Sequence, residues 1–239
     1  MKKILTLLAV AAMFAVACGK DNDNNGSSDN AQIAIDGDFA DWAALDASKV
    51  VVAKNAEGSP WEAVKEIRVY ADKKFVYYYM KFDSEVLADM QENSADKSLP
   101  LRLNINTDGE FESGYHNYFI EGYDMMTEGH ITDEEGNYVS YDGELYLRTK
   151  DGWGDAVLGP GNNLTSGAGK DNEYEIALSR EVFDGAISSS PIGNTFQTSI
   201  RFYYLDDAGD WTELSNMPNL SIDESENGWG HLLEITTNK

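Results

Sequence analysis

Aromatic and acidic residues stand where this sequence should turn. Trp153 follows Asp151-Gly152 and opens a glycine-rich run, Trp211 follows "DDAGD", and Trp229 lies between two glycines. With Trp61 they are candidate platforms for a sugar. A flat aromatic face packs the C–H side of a pyranose, and polar groups at the ring's edge satisfy its hydroxyls. The alternative is that each tryptophan plugs an end of the fold. Tyr115 and His116, in "SGYHNYF", are secondary candidates. Asn106, Asp108 and Glu112 offer hard oxygen ligands of the kind calcium takes. Solvated hairpin acids are the plainer reading of those three, and of "TDEEG" and "DDAGD".

Other chemistries fit less well. "NINTDGEFESGY" resembles an EF-hand loop in the phase of Asn104, Asn106, Asp108 and Gly109, but Asn opens it and Tyr115 stands where a bidentate Glu belongs. His116, His130 and His231 lack metal-ligand spacing. "SIDESE" resembles the Glu-x-Asp-x-x-Glu signature of one β-sandwich glycosidase family. Ser221 replaces its first Glu, the nucleophile, and leaves only Asp223 and Glu226. No Ser-His-Asp order, phosphate loop or cysteine nucleophile appears, so we expect no enzyme.

The ends say where such a site would work. Lys2 and Lys3 precede the apolar run "ILTLLAVAAMFAVA". It is short for a bilayer span, which needs about 20 residues, and its flanks read as a secretory signal. "AVAC" resembles a bacterial lipobox, with Ala15 where Leu is preferred. Residues 1–17 would be removed and Cys18, the only cysteine, lipidated. Plain cleavage after Ala17 is the alternative. Residues 18–30 follow as a flexible polar linker, and "CGKDNDN" resembles the tag that some Gram-negative bacteria use to send lipoproteins to the cell's outer face. The chain carries 42 Asp+Glu against 18 Lys+Arg, a net charge of −24. It repels phosphate backbones, which argues against a nucleic-acid partner, and it should meet membranes only through its lipid.

Residues 31–239 are long enough for one all-β domain, which runs to roughly 200–250 residues. Period-2 alternation recurs. In "FVYYYMKF", Val76, Tyr78, Met80 and Phe82 share a face; in "LPLRLNIN", Leu99, Leu101, Leu103 and Ile105 oppose Arg102, Asn104 and Asn106; "TFQTSIRFYY" repeats the pattern. "KEIRVYA" and "HLLEI" are shorter strands. Several Asp-Gly pairs should close hairpins. "SEVLADMQE" and "SREVFDG" give one or two short helices. "WGDAVLGPGNNLTSGAGKDN" reads as a long surface loop. The sum predicts an antiparallel β-sandwich with jelly-roll or immunoglobulin-like layering.

"IAIDGDFADW" then finds a context. It resembles the start of domains in the carbohydrate-binding module family 9-like group. "KEIRVYADKKFVYYYMKFDSE", "LPLRLNINTDG", "NEYEIALSREVF" and "SIRFYYLDDAGDW" resemble that group's later segments in order. The resemblance covers most of residues 31–239. It implies a β-sandwich, sugar binding and often calcium, although related sandwiches bind haem or have no known ligand. In the opening motif, Ile33 and Ile35 should face the core from a first strand. Asp38 or Asp41 should accept N–H bonds in the turn, and Trp42 should lid the sandwich end.

The expectation is an outer-membrane, cell-surface lipoprotein that holds a polysaccharide or oligosaccharide for capture or uptake, without catalysis. A sandwich docking on another envelope protein is the alternative, and a glycosidase is the third.

Overall fold

The computed structural model describes residues 33–55, 63–93, 96–110, 113–115, 122–149, 152–205, 211–218 and 232–238. Cys18 and the expected leader and linker lie outside them. The strands are β1 (Val51–Lys54), β2 (Val64–Ala71), β3 (Phe75–Phe82), β4 (Pro100–Asn106), β5 (Met125–His130) and β6 (Glu144–Thr149). They continue with β7 (Gly152–Leu158), β8 (Thr165–Lys170), β9 (Glu173–Ser179), β10 (Thr195–Leu205), β11 (Trp211–Met217) and β12 (Leu233–Thr236). One five-stranded sheet has the order β1-β2-β3-β9-β8. The seven-stranded sheet runs β11-β10-β4-β5-β6-β7, with β12 also pairing β10. Their ladders are antiparallel. The chain is an all-β sandwich.

Alternation builds the core. Val76, Tyr78, Met80 and Phe82 from β3 face Leu101, Leu103 and Ile105 from β4 and Ile200 and Phe202 from β10. The Phe82 and Phe202 rings meet at 5.1 Å. Buried tyrosines keep their hydroxyls bonded, as burial requires. Tyr78 Oη lies 3.0 Å from Thr198 Oγ1, which donates to the Asn104 carbonyl at 2.8 Å. Tyr141 Oη donates to the Leu101 carbonyl at 3.1 Å.

Helices α2 (Ser84–Asn93) and α3 (Arg180–Ala186) stand where expected. Among the described residues no helix is long and apolar enough to cross a membrane. A third helix, α1 (Ala40–Ala44), comes from the opening motif, and there the fold departs from expectation. Ile33–Ile35 form no strand. The Ala34 N–H bonds to the Asp41 carboxylate at 3.0 Å instead of to a neighbouring ladder. Ile33, Trp42 and Leu45 pack on the outer face of the five-stranded sheet, against Tyr70, Tyr77, Tyr79 and Ala177. Trp42 therefore covers that face and not the sandwich end. Both turn acids work as predicted, since Asp38 accepts the Ala40 N–H at 3.2 Å.

One side chain fastens this strap. Glu175 on β9 is fully buried. Its Oε1 accepts the N–H groups of Asp36 and Gly37 at 3.0 and 2.9 Å, and its Oε2 accepts Trp42 Nε1 at 3.1 Å.

The expected glycine-rich loop is a second correction, because it contains β7 and β8. β7 edges the seven-stranded sheet and β8 the five-stranded one, so the chain changes sheets between them. The glycines of β8 admit aromatic rings. A Cβ on Gly169 would stand 2.5 Å from the Tyr174 ring and 2.6 Å from Tyr138, and one on Gly167 would overlap the Tyr174 hydroxyl. Glycine in a strand often marks such close approach.

Glu175→Ala removes an acceptor from three N–H groups and should cost about 2–4 kcal/mol of unfolding free energy, measured by urea denaturation. Burial raises the Glu175 carboxyl above its ordinary value, against the opposing pull of the N–H donors. A raised folded value means that its stabilising contribution is complete below the ordinary glutamate value and falls as pH rises through the folded one. Over that window the wild-type protein should lose stability relative to Glu175→Gln, read from denaturation midpoints at stepped pH.

Candidate functional site

With Leu101, Leu103 and Ile105 turned inward, Arg102, Asn104 and Asn106 must face out. Register then assembles three rows across the outer face of the seven-stranded sheet. Arg201, Arg102, Glu128 and Glu144 pair in sequence across β10, β4, β5 and β6. Ser199, Asn104, Met126 and Tyr146 form the next row. Gln197 and Asn106 begin the third. It continues through Asp124, whose N–H bonds to the Ile105 carbonyl and whose own carbonyl accepts the Arg148 N–H at 2.6 Å. Trp153 on β7 stands opposite Arg148.

This face is polar but buried at its centre. Asn104, Asn106, Ser199, Met126 and Arg148 form a buried floor, and Arg102, Glu128, Glu144, Tyr146 and Gln197 a half-buried rim. Amides tie neighbouring strands: Asn104 Nδ2 donates to Ser199 Oγ at 3.1 Å, and Asn106 Nδ2 to Gln197 Oε1 at 3.3 Å. Asn104 Oδ1 has no hydrogen-bond partner among the described residues. A buried polar atom left this way costs about 1–3 kcal/mol, so a ligand hydroxyl or a water reaching it is rewarded.

Aromatic rings border the floor. The Arg148 guanidinium lies 4.2 Å from the Tyr115 ring centroid and 5.6 Å from that of Tyr123, and its Nη2 donates to the Tyr123 hydroxyl at 3.3 Å. Tyr115 and Tyr123 meet edge to face at 5.5 Å. Across the sheet, Arg102 pairs with Glu128, stacks 4.8 Å from the Tyr203 ring and donates to its hydroxyl at 3.3 Å. Burial opposes the charge on Arg102, but Tyr203 and Glu128 outweigh it and hold the guanidinium above its ordinary value. Tyr146 donates to Glu144 at 2.6 Å, and that bond, then burial, pushes its hydroxyl up to about 12.

The expected calcium ligands lie at one end of this face. Asn106 Oδ1 is committed to the Gly109 N–H at 2.7 Å, and Asp108 Oδ1 accepts the Glu110 N–H at 2.7 Å. Glu112 lies outside the described residues. The carboxylate that joins Asp108 is Asp124, which accepts the Thr107 N–H and hydroxyl at 2.8 and 2.9 Å. Ser113 Oγ bridges them, at 3.1 Å from Asp108 Oδ2 and 3.5 Å from Asp124 Oδ1. Among the described residues no group of three or more His, Cys, Asp or Glu could hold a metal ion. Burial raises the Asp124 carboxyl, Thr107 opposes the rise, and the nearby Asp108 charge adds to it.

The structure brings Tyr115, Asn106 and Asp108 together with the backbone position of Trp153. Trp153 and Trp211 are strand residues and not loop-borne: Trp211 opens β11 opposite Leu205. Trp61, Trp229, His116, His231, Asp223 and Glu226 lie outside the described residues. His130 is exposed and lines a separate groove of about 640 Å³ with Asp96, Thr132 and Asp133. There Asp96 and Asp133 accept N–H groups of their own turns. Sequence reasoning missed Arg148, Tyr123 and Asp124. Only the outward phase of Arg102, Asn104 and Asn106 pointed toward this face.

Asp108→Asn should lower the Asp124 titration midpoint, followed by carbon NMR of the carboxyl across pH; an unchanged midpoint would remove Asp108 from its causes. No protein-family model and no curated protein matches this chain.

Proposed function

We propose that this chain is a non-catalytic glycan-binding lipoprotein, held at the outer membrane by a lipid on Cys18 and exposed at the cell surface. The observation that carries the reading is the outer face of the seven-stranded sheet. Amides, hydroxyls and arginines from adjacent strands form its floor, and Tyr115, Tyr123, Tyr146 and Tyr203 border it. Hydroxyl-satisfying groups beside aromatic rings are what a sugar needs. The strap supports the same choice of face, because it covers the corresponding surface of the other sheet. The resemblance to carbohydrate-binding module family 9-like domains agrees with it. Calcium is proposed at Asp108, with Ser113 and Asp124 as neighbours and Glu112 as the further candidate.

Docking on another envelope protein is the second reading. It draws on Leu147 and Val157, exposed by 39% and 38% on β6 and the edge strand β7.

Tryptophan fluorescence of the mature protein, titrated with a panel of soluble polysaccharides, tests the proposal. We expect a saturable shift with one glycan class, weakened at least about tenfold by Tyr115→Ala or Trp153→Ala, a loss of roughly 1.4 kcal/mol. Loss of the response on chelation, restored by calcium, would support the metal. Folded protein that answers no glycan would turn the reading to protein docking.

A further inference from the structure

Two hydrophobic clusters use the middle strands of the five-stranded sheet without sharing a residue. On the inner face Val69, Val76, Tyr78, Met80, Ile176 and Leu178 belong to the main core. On the outer face Tyr70, Tyr77, Tyr79 and Ala177 carry the strap residues Ile33, Trp42 and Leu45. Phe39 and Trp42 each lie 5.6 Å from the Tyr79 ring. Lifting the strap would leave the main core and its ladders whole.

The attachments of the strap are few. Among the described residues, no backbone–backbone hydrogen bond joins residues 33–45 to a strand. Ala34 bonds to Asp41 and Ala40 to Asp38, both within the strap. The hydrogen bonds that cross to the sheet are the three accepted by Glu175, from the Asp36 and Gly37 N–H groups and Trp42 Nε1. Beyond Leu45 the chain is fixed again. Asp46 caps a 3₁₀ turn at Ala47–Lys49 by accepting the Ser48 N–H at 3.0 Å, and the Lys49 carbonyl accepts Asn238 Nδ2 at 3.4 Å.

The surface beneath has a shape of its own. The Arg68 guanidinium lies 4.8 Å from the Tyr79 ring, and the Tyr79 hydroxyl donates to Glu173. Tyr77 stands 6.0 Å from Tyr70 and 5.6 Å from Phe75. None of these contacts involves the strap.

We propose that the strap is a latch. Residues 33–45 detach from the five-stranded sheet as one unit while the sandwich stays folded, and Glu175 is the group that holds them shut. Opening bares an ordered row of aromatic rings on a face that the latched chain keeps covered. Proteins open in cooperative units at free energies below that of global unfolding. A segment with no ladder, joined through one carboxylate and a few apolar side chains, has what such a unit needs. The latch does not depend on what the seven-stranded sheet binds.

Native-state hydrogen exchange of the mature protein at stepped, sub-denaturing urea, read residue by residue by NMR, tests it. We expect the Asp36 and Gly37 amides and the Trp42 indole N–H to be protected and to exchange together. They should exchange at least about tenfold faster than the slowest amides of β3 and β4. Their rates should also rise with urea less steeply, because the opening exposes little surface. Glu175→Gln puts an amide where the carboxylate accepts, and should speed all three at least about tenfold. Should that variant fail to fold, the wild-type comparison decides the matter. Strap N–H groups that share the rates and urea dependence of the slowest core amides open only with the whole fold, and overturn the latch. Strap groups without protection overturn it too, since they were never shut. Unchanged strap exchange in folded Glu175→Gln removes Glu175 as the holding group and overturns the latch as stated.

Discussion

A single buried carboxylate decides which faces of this sandwich are available. Glu175 takes two backbone N–H groups from a bend and one indole N–H from the short helix α1 that follows it. Without that acceptor the donors would be buried and unmade, which is costlier than the bonds are strengthening. The strap then carries Ile33, Trp42 and Leu45 onto Tyr70, Tyr77 and Tyr79, and a second small core forms outside the first. A sandwich has two outer faces, and here the chain spends its own N-terminal segment on one. The polar residues of β4, β5, β6 and β10 remain for the other.

That other face follows a different economy. Antiparallel sheets commonly present polar side chains to water on one side. Here several of those side chains are polar and yet withdrawn from solvent, Asn104 and Ser199 completely. Their side chains bond to one another across strands, so the register of three ladders and the pairing of the side chains specify the same arrangement. A slip of one residue in β4 would turn Leu101, Leu103 and Ile105 outward and bring Arg102, Asn104 and Asn106 into the core, which is why the register is held so firmly.

Much of the fold was legible in the sequence. Period-2 runs gave β2, β3, β4, β10 and β12, and the two helical segments stood where their patterns placed them. The failures have physical causes. Glycines in β8 looked like loop residues because the rings that need the space, Tyr138 and Tyr174, are distant or lie on the neighbouring strand. Ile33 and Ile35 alternate like a strand, but the competing acceptor at Asp41 took the Ala34 N–H. The candidate site was legible only in fragments. Tyr115, Asn106 and Asp108 attract notice by local composition. Arg148, Tyr123 and Asp124 do not, because their meaning lies in which strands become neighbours, and no local pattern carries that.

The hydrogen-bonded path from Tyr78 through Thr198 to the Asn104 carbonyl links the five-stranded sheet to the backbone beneath the polar floor. Floor residues are thus held from below by the opposite sheet and from the sides by their ladders. On the proposed reading, a ligand arriving there would meet side chains whose rotamer freedom was surrendered on folding, so little further ordering entropy would be lost on contact. Such a preorganised surface discriminates by fit and by the ease of shedding water. It cannot reshape itself to accommodate a series of unlike molecules, and selectivity becomes a property of the folded core as much as of the groups that touch the ligand.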